Sequence, residues 1–185
     1  MKKLITFTVI FAILILTACS NSSKTLQQKL EVYKKAYKAK DYITMASMVL
    51  PSVIEETGGT QGFVDIMQMA TRSLEEQGIE PTKISFGKTG KIVSHEDSLI
   101  SVIPTTTPVN IQGRDGFIKG SVIAFSDDKG KTWFFLEGTD ESRAMIADSV
   151  PEILQKITVP TPTVELGSGK DRLVLVQQSG QWVEK

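Results

Sequence analysis

The chain has 185 residues and a mass of 20.3 kDa, and 41% of its residues are hydrophobic, which suits one compact core. Its 21 basic residues balance 21 acidic ones, so the composition lacks the basic footprint of a nucleic-acid-binding protein. The sequence has one cysteine and one histidine, which excludes an internal disulfide, a Cys-rich zinc site and a multi-histidine metal centre. We therefore expect no cofactor, no metal and no nucleic-acid partner.

The N-terminus has the layout of an export signal. Lys2 and Lys3 precede a mostly apolar stretch of 13 residues, Leu4–Leu16, which is shorter than the roughly 20 residues that a membrane-spanning helix needs. The small residues Thr17 and Ala18 follow. A basic start, a short apolar stretch and small residues before a cleavage point are typical of a secretory signal peptide, which we place at residues 1–18.

The residues Leu16-Thr17-Ala18-Cys19 resemble the lipobox of bacterial lipoproteins. The resemblance implies that Cys19 becomes the first mature residue and carries a diacylglycerol and an N-acyl chain such as palmitate, which together give stable membrane anchoring. It also implies a lipid-anchored protein of the cell envelope; in a Gram-negative host, Ser20 is compatible with the periplasmic side of the outer membrane. The alternative is an ordinary signal peptide followed by a coincidental or buried cysteine.

Residues 19–25 are polar and predict a lipidated tether, and residues 26–185 predict a single domain that begins with helices. Apolar residues at helical spacing from Leu26 to Tyr37 indicate an amphipathic helix, and Asp41 is a suitable N-cap for the next one. Short helices are expected at Ser52–Glu56, after Pro51, and from Thr60 to Gly78, with Gly58 and Gly59 between them. Four methionines at helical spacing are expected in the core: Met45, Met48, Met67 and Met69.

After Pro81 the chain changes to short runs rich in Val, Ile, Phe and Thr, which predict strands. The segment Ser126–Lys131 predicts a hairpin turn, and a later helix over Glu141–Lys156 should break or bend at Pro151. Helices followed by antiparallel strands indicate an α+β fold, with a C-terminal helix and a small terminal hairpin. The predicted strands are Lys83–Phe86, Ile92–Ser94, Leu99–Ile103, Phe117–Phe125, Trp133–Glu137, Arg172–Gln177 and Gln181–Val183.

This order of elements over Leu26–Gly138 resembles the cone-like fold of the nuclear transport factor 2-like and cystatin-like proteins. The resemblance implies N-terminal helices packed on a curved antiparallel sheet. A closer resemblance is to a group of bacterial proteins with no agreed function. It rests on Pro51 followed by Gly58-Gly59, on Ile103-Pro104 at a strand end, and on a Ser-x-Asp-x-Gly-x-x-Trp hairpin. It implies a shape and no chemistry.

The segment Ser126–Trp133 matches the Asp-box pattern S-x-D-x-G-x-T-W of sialidase-type propellers. A propeller needs at least about four blades, each with its own signature, and this chain has one copy. We therefore interpret Asp128, Gly130 and Trp133 as a structural turn. Asp128 would accept backbone hydrogen bonds, Gly130 would adopt a positive φ, and Trp133 would pack over the hairpin. A glycan or calcium role for the motif is the alternative.

No catalytic set converges in the sequence. His95, Glu96 and Asp97 are adjacent, and neighbours in a strand face opposite sides, so a solvated loop is favoured over a weak metal or acid–base site. We expect a membrane-anchored binding module for an envelope protein or a small apolar ligand. The alternatives are a structural or assembly component of the envelope and a small ketosteroid-isomerase-like enzyme. The enzyme would draw on residues that no sequence spacing pairs: Tyr33, Tyr37, Tyr42, Asp65 and Glu137.

Overall fold

The computed structural model describes residues 2–178 and 181–185, with side chains from residue 21 onward apart from those of residues 149, 177, 178 and 181. N-terminal helices precede an antiparallel sheet, which confirms the predicted α+β class. The helices are α1 (Lys2–Ala39), α2 (Tyr42–Ala46), α3 (Pro51–Glu56), α4 (Gly59–Glu76), α5 (Asp140–Ser149) and α6 (Pro151–Leu154). The strands are β1 (Ser85–Phe86), β2 (Val93–His95), β3 (Ser98–Ile111), β4 (Arg114–Ser126), β5 (Phe134–Glu137), β6 (Thr163–Leu166), β7 (Leu173–Gln178) and β8 (Gln181–Glu184).

Local sequence signals set most of the helix ends. The Asp41 carboxylate accepts a hydrogen bond from the Thr44 N–H at 3.0 Å and caps α2 as predicted. Pro51 occupies the first turn of α3, where its missing N–H costs nothing. Thr60 is not the cap of α4, because the helix already begins at Gly59 and its N-cap is Gly58, which has a φ of 85°.

The residues of the predicted tether, 19–25, belong to α1, and the described side chains of Ser22 and Thr25 are half-buried. Cys19 lies in α1 too, but its side chain and those of the predicted signal peptide lie outside the described ones.

The sheet is built on one long hairpin, β3–β4, which pairs continuously from Leu99 with Ser126 to Ile111 with Arg114. Gln112 and Gly113 join the two strands with φ angles of 53° and 78°, as a two-residue turn of type I′ requires. We call residues 98–104 and 121–126 the inner half of the hairpin and residues 105–111 and 114–120 its outer half. β2 and β5 flank the inner half, whereas β1 on one side and β6, β7 and β8 on the other flank the outer half.

β3 does not end at Ile103, as the sequence predicts, but continues through Pro104 and Pro108. The Pro104 carbonyl accepts a hydrogen bond from the Gly87 N–H at 2.8 Å, on the side away from β4. The nitrogen and oxygen of one residue in an antiparallel strand point to the same side, so the missing N–H of Pro104 also faces away from β4. Pro108, four residues on, has the same orientation. Both prolines therefore leave the β3–β4 hydrogen bonds intact.

The inner half is covered on both faces. On the front face, defined by Ile103 and Val122, the sheet packs against α1, α2 and α4 in the largest hydrophobic cluster. On the back face, Ile100 and Ile123 pack against Ile146 and Ile153 of α5 and α6. A third cluster forms on the front face of the outer half, and it consists of Ile79, Val109, Val164 and Leu166 with their neighbours.

The last third of the chain contains one strand that the sequence analysis missed. β6 pairs with β4, and the predicted terminal hairpin, β7–β8, pairs with β6 and so extends the same sheet. The predicted break at Pro151 is present, since α5 ends at Ser149 and α6 begins at Pro151.

The methionine prediction holds in part. Met45 and Met48 are buried and Met67 is partly buried against the same cluster. Met69, in contrast, is 70% exposed on α4, because it lies on the side of the helix that faces away from the core.

Candidate functional site: a cavity on the front face of the sheet

A cavity of about 260 Å³ lies on the front face at the start of the outer half, beside the C-terminal turns of α1 and α4. Most of its lining is apolar, and its polar groups are a tyrosine, a carboxylate and several hydroxyls. The apolar lining consists of Leu74, Ile79, Pro81, Ile84, Ile118, Val122, Pro162 and Trp182. The polar lining consists of Tyr37, Thr105, Thr107, Ser121, Glu137 and Thr139.

Small residues on the hairpin create this space. Thr105 pairs with Gly120 directly beyond the large pair formed by Ile103 and Val122, and all four residues lie on the front face. A Cβ atom at Gly120 would meet nothing closer than the Thr105 hydroxyl at 3.4 Å, so the cavity floor has room for a side chain. The step from Ile and Val to Thr and Gly therefore marks the boundary between packed core and open cavity.

The Glu137 carboxylate is the charged group of the cavity. Glu137 ends β5 and pairs with Val122, which places it on the front face. Its side chain is exposed to the cavity space, and desolvation by the nearby protein raises the pKa of the Glu137 carboxyl above its ordinary value. Among the described side chains, none forms an ion pair or a hydrogen bond with it.

Two tyrosines of α1 lie near Glu137. Tyr33 is buried and its ring stacks on Phe135 at a centroid distance of 4.7 Å, so it belongs to the core. Tyr37, one helical turn later, lines the cavity and contacts the Phe86 ring edge-on at 6.2 Å. Burial first, and then the negative charge of Glu137, raise the pKa of both hydroxyls, which keeps them protonated and able to donate.

The structure therefore brings together three of the five residues proposed for an enzyme, and it separates the other two. The Tyr42 hydroxyl lies in a buried hydrogen bond of 2.8 Å with Thr71. Asp65 is exposed on α4, where it accepts a hydrogen bond from Gln61 at 2.8 Å.

The Asp128 turn is held by backbone donors. One Asp128 carboxylate oxygen accepts hydrogen bonds from the N–H groups of Lys131 at 2.9 Å and Thr132 at 2.8 Å. Partial burial acts to raise the pKa of Asp128, but these bonds and the one from the Ser126 hydroxyl outweigh it, so the pKa is lowered. Gly130 has a φ of 84°. The carboxylate is thus occupied by the turn itself.

The same turn also holds the first described side chains of α1. The Ser22 hydroxyl donates to the Lys129 carbonyl at 3.0 Å, and the Thr25 hydroxyl donates to the Gly130 carbonyl at 2.7 Å. The indole N–H of Trp133, which is 1% exposed, donates to the Thr25 oxygen at 3.2 Å. Trp133 therefore joins the turn to α1 and the core, which goes beyond the packing over the hairpin expected from the sequence.

His95 and its neighbours do not converge on one point. The His95 Nε2 lies 3.8 Å from a carboxylate oxygen of Glu152 on α6, whereas Asp97 pairs with Lys129 at 2.9 Å. Over the residues that the structure describes, no group of three or more His, Cys, Asp or Glu side chains could hold a metal ion.

A larger, open groove of about 700 Å³ runs along α1 from Ser22 to Lys34, beside the loop at 87–91. Two of its lysines are paired with acids, Lys34 with Glu31 at 2.8 Å and Lys129 with Asp97. The groove borders the position predicted for the lipid anchor. In the described part of the chain, no helix is both long enough and apolar enough to cross a membrane.

Comparison of the chain with protein-family models, with curated proteins and with solved structures found no match. The resemblances to the lipobox and to the cone-like fold therefore stay predictions. Sequence reasoning missed most of the cavity residues. Trp182 reaches the cavity only through the pairing of β8, β7, β6 and β4, and Gly120 only through the register of β3 and β4, which no local pattern signals.

Proposed function

We propose that this protein is a lipid-anchored component of the bacterial cell envelope whose cavity binds a small, mainly apolar ligand. The observation that carries the binding function is the cavity on the front face. Its volume of about 260 Å³ lies just below the ~300–1,000 Å³ of typical ligand sites, so the ligand is small. A sealed apolar core, which a purely structural or assembly role would favour, does not leave such a space beside an unpaired carboxylate.

The anchor would hold the domain close to the membrane. Ser22, whose hydroxyl bonds to the Asp128 turn, is three residues from Cys19, and three residues span at most about 11 Å. The turn and the open groove would then face the bilayer, with Lys88 and Lys91 at the rim. The cavity is formed by other residues, so its access does not depend on this face.

Binding is tested by titration calorimetry with a small neutral apolar probe, cyclohexylmethanol, and the full-length chain in lipid nanodiscs, corrected with empty nanodiscs. Gly120→Leu fills the cavity floor and should abolish the binding heat of the native chain. The matched control is Thr106→Leu, which adds the same side chain one position from Thr105 on the opposite face of the sheet. Equal binding by the two variants, or no binding by the native chain, would contradict the proposal.

The anchor is tested separately in cells. Cys19→Ala should abolish incorporation of an alkyne-labelled palmitate and block cleavage before residue 19, so that the uncut precursor accumulates. Ser20→Ala, the neighbouring control, should leave both unchanged. Palmitate incorporation or unaltered processing of the Cys19→Ala protein would reject lipid anchoring while leaving the cavity proposal open to its own test.

A second candidate function is a small enzyme of the ketosteroid-isomerase-like type, and one observation favours it. Glu137 and Tyr37 line one apolar cavity, and such chemistry needs a carboxylate base and a hydrogen-bond donor in a dry site. The test is isomerisation of a small β,γ-unsaturated ketone. The native chain should convert it and Glu137→Gln should not, whereas absence of turnover with the native chain leaves ligand binding as the function.

A further inference from the structure

We propose that the cavity selects a small organic cation, an amine with an apolar body, whose ammonium group pairs with Glu137 and contacts the rings of Tyr37 and Trp182. This inference rests on the proposed function, since it names the chemical class of ligand for the same cavity. Three features of the cavity carry it: its charge, its aromatic lining and its size.

The charge on the described lining of the cavity is negative. Among the described residues that line the cavity, Glu137 is the charged one, and no lysine or arginine is present with it. The Glu137 carboxylate is exposed to the cavity space, and no described side chain pairs with it. A ligand that brings a positive charge would therefore gain an ion pair, whereas an anionic ligand would meet repulsion and no compensating group.

The aromatic residues supply a second contact that favours a cation. Tyr37 comes from α1 and Trp182 from β8, so the two lie on different elements that border the same space. Trp182 is 42% exposed, which leaves part of its indole available to a ligand. The face of an aromatic ring attracts an ammonium group, and Trp does so most strongly. The threonine hydroxyls of the lining can accept further N–H bonds.

The size of the cavity limits the cation. At about 30 Å³ for each water-sized group, 260 Å³ holds roughly eight to ten non-hydrogen atoms. The apolar residues on the remaining sides, such as Ile79, Ile84 and Ile118, suit a hydrocarbon body. A ring or branched chain with one amino group fits both the size and the lining, whereas a polyamine would place a second charge among apolar side chains.

The test compares three probes with the same apolar ring: cyclohexylmethylamine, cyclohexylmethanol and cyclohexanecarboxylate. Titration calorimetry with the full-length chain in nanodiscs, corrected with empty nanodiscs, should give an amine affinity at least about tenfold above that of the alcohol and no carboxylate binding. Glu137→Gln, which keeps the shape, should lose most of the amine preference and keep only the part that the rings of Tyr37 and Trp182 supply. Trp182→Leu should lower the affinity for the amine more than the affinity for the alcohol. This variant tests the contact between the cation and the indole ring while leaving Glu137 in place.

The outcomes separate this inference from the function on which it rests. If the alcohol binds to the native chain as tightly as the amine, or if Glu137→Gln keeps the full amine preference, the cation inference is wrong while ligand binding stands. If none of these probes binds the native chain, the binding function itself is rejected. Circular dichroism of each variant establishes that it is folded before its affinities are compared.

Discussion

The two halves of the β3–β4 hairpin are made of the same two strands but differ in how they are packed. In the inner half both faces are buried: Ile103 and Val122 pack against the N-terminal helices, and Ile100 and Ile123 pack against α5 and α6. In the outer half the front face borders a cavity, and the back face is open to solvent, as the 49% exposure of Phe117 shows. One continuous hairpin thus serves as core at one end and as candidate site at the other.

The difference comes from side-chain size and from which elements cover the strands. Large aliphatic residues at the inner half need partners on both faces, and the helices supply them. Thr105, Thr107 and Gly120 at the outer half are too small to fill the space up to Tyr37 and Leu74. A binding site can therefore arise where a well-packed sheet continues past the ends of its covering helices.

The largest expected effect tests whether the inner half is packed more tightly than the outer half. The test removes one large side chain from each half. Ile123→Ala, at a position that is 0% exposed, should lower the free energy of unfolding by about 2–5 kcal/mol, because it leaves a void between β4 and the α5–α6 layer. Ile118→Ala, on the same strand, should cost less than about 1 kcal/mol, because its side chain already borders empty space. Urea unfolding of both variants at one temperature measures the difference, and equal losses would show that the outer half is packed as tightly as the inner half.

The sequence predicts the inner half better than the outer half, for physical reasons. Helical spacing and caps such as Asp41 act within a few residues, so the helices and the α+β order follow from local patterns. The sequence predicts that β3 ends at Ile103-Pro104, and a proline inside a strand usually removes a ladder hydrogen bond. Whether its nitrogen faces a partner strand or an edge depends on register, which the local sequence does not contain.

The candidate site depends on the same non-local information. Glu137 and Tyr37 are a hundred residues apart in the sequence and meet because β5 joins the edge of β4 on the face that α1 covers. Trp182 arrives by way of three further strand pairings. The residue types were visible in the sequence, whereas their convergence is a property of the sheet order.

A smaller effect is expected at the end of the inner half, where the Asp128 turn joins β4 to β5. Asp128→Ala removes the acceptor for the Lys131 and Thr132 N–H groups and should lower the free energy of unfolding by about 1 kcal/mol at neutral pH. Because the folded-state pKa of Asp128 is lowered, its contribution is present above the ordinary carboxyl range and is lost as the pH falls through that lowered pKa. Melting temperatures of the two proteins should therefore converge in strong acid, and Asp128→Asn, which keeps an acceptor, should lie between them.

The smallest expected effect is the pH dependence of stability that Glu137 causes. Glu137 pairs with Val122 at the boundary between the inner and outer halves. Burial raises the folded-state pKa of Glu137, so between its ordinary pKa and the raised one the folded chain keeps a proton that the unfolded chain has released. The free energy of unfolding then falls as the pH rises through that window, and Glu137→Gln, which holds no such proton, escapes the loss. The melting temperature of Glu137→Gln relative to the native chain should rise as the pH increases above the ordinary carboxyl range. Tyr33 and Tyr37 stay neutral across this range because their own pKa values are raised, so they add no slope. A melting-temperature difference that does not change with pH would mean that solvent in the cavity already compensates the Glu137 carboxylate. The solvated part of the hairpin would then include the pair formed by Ile103 and Val122.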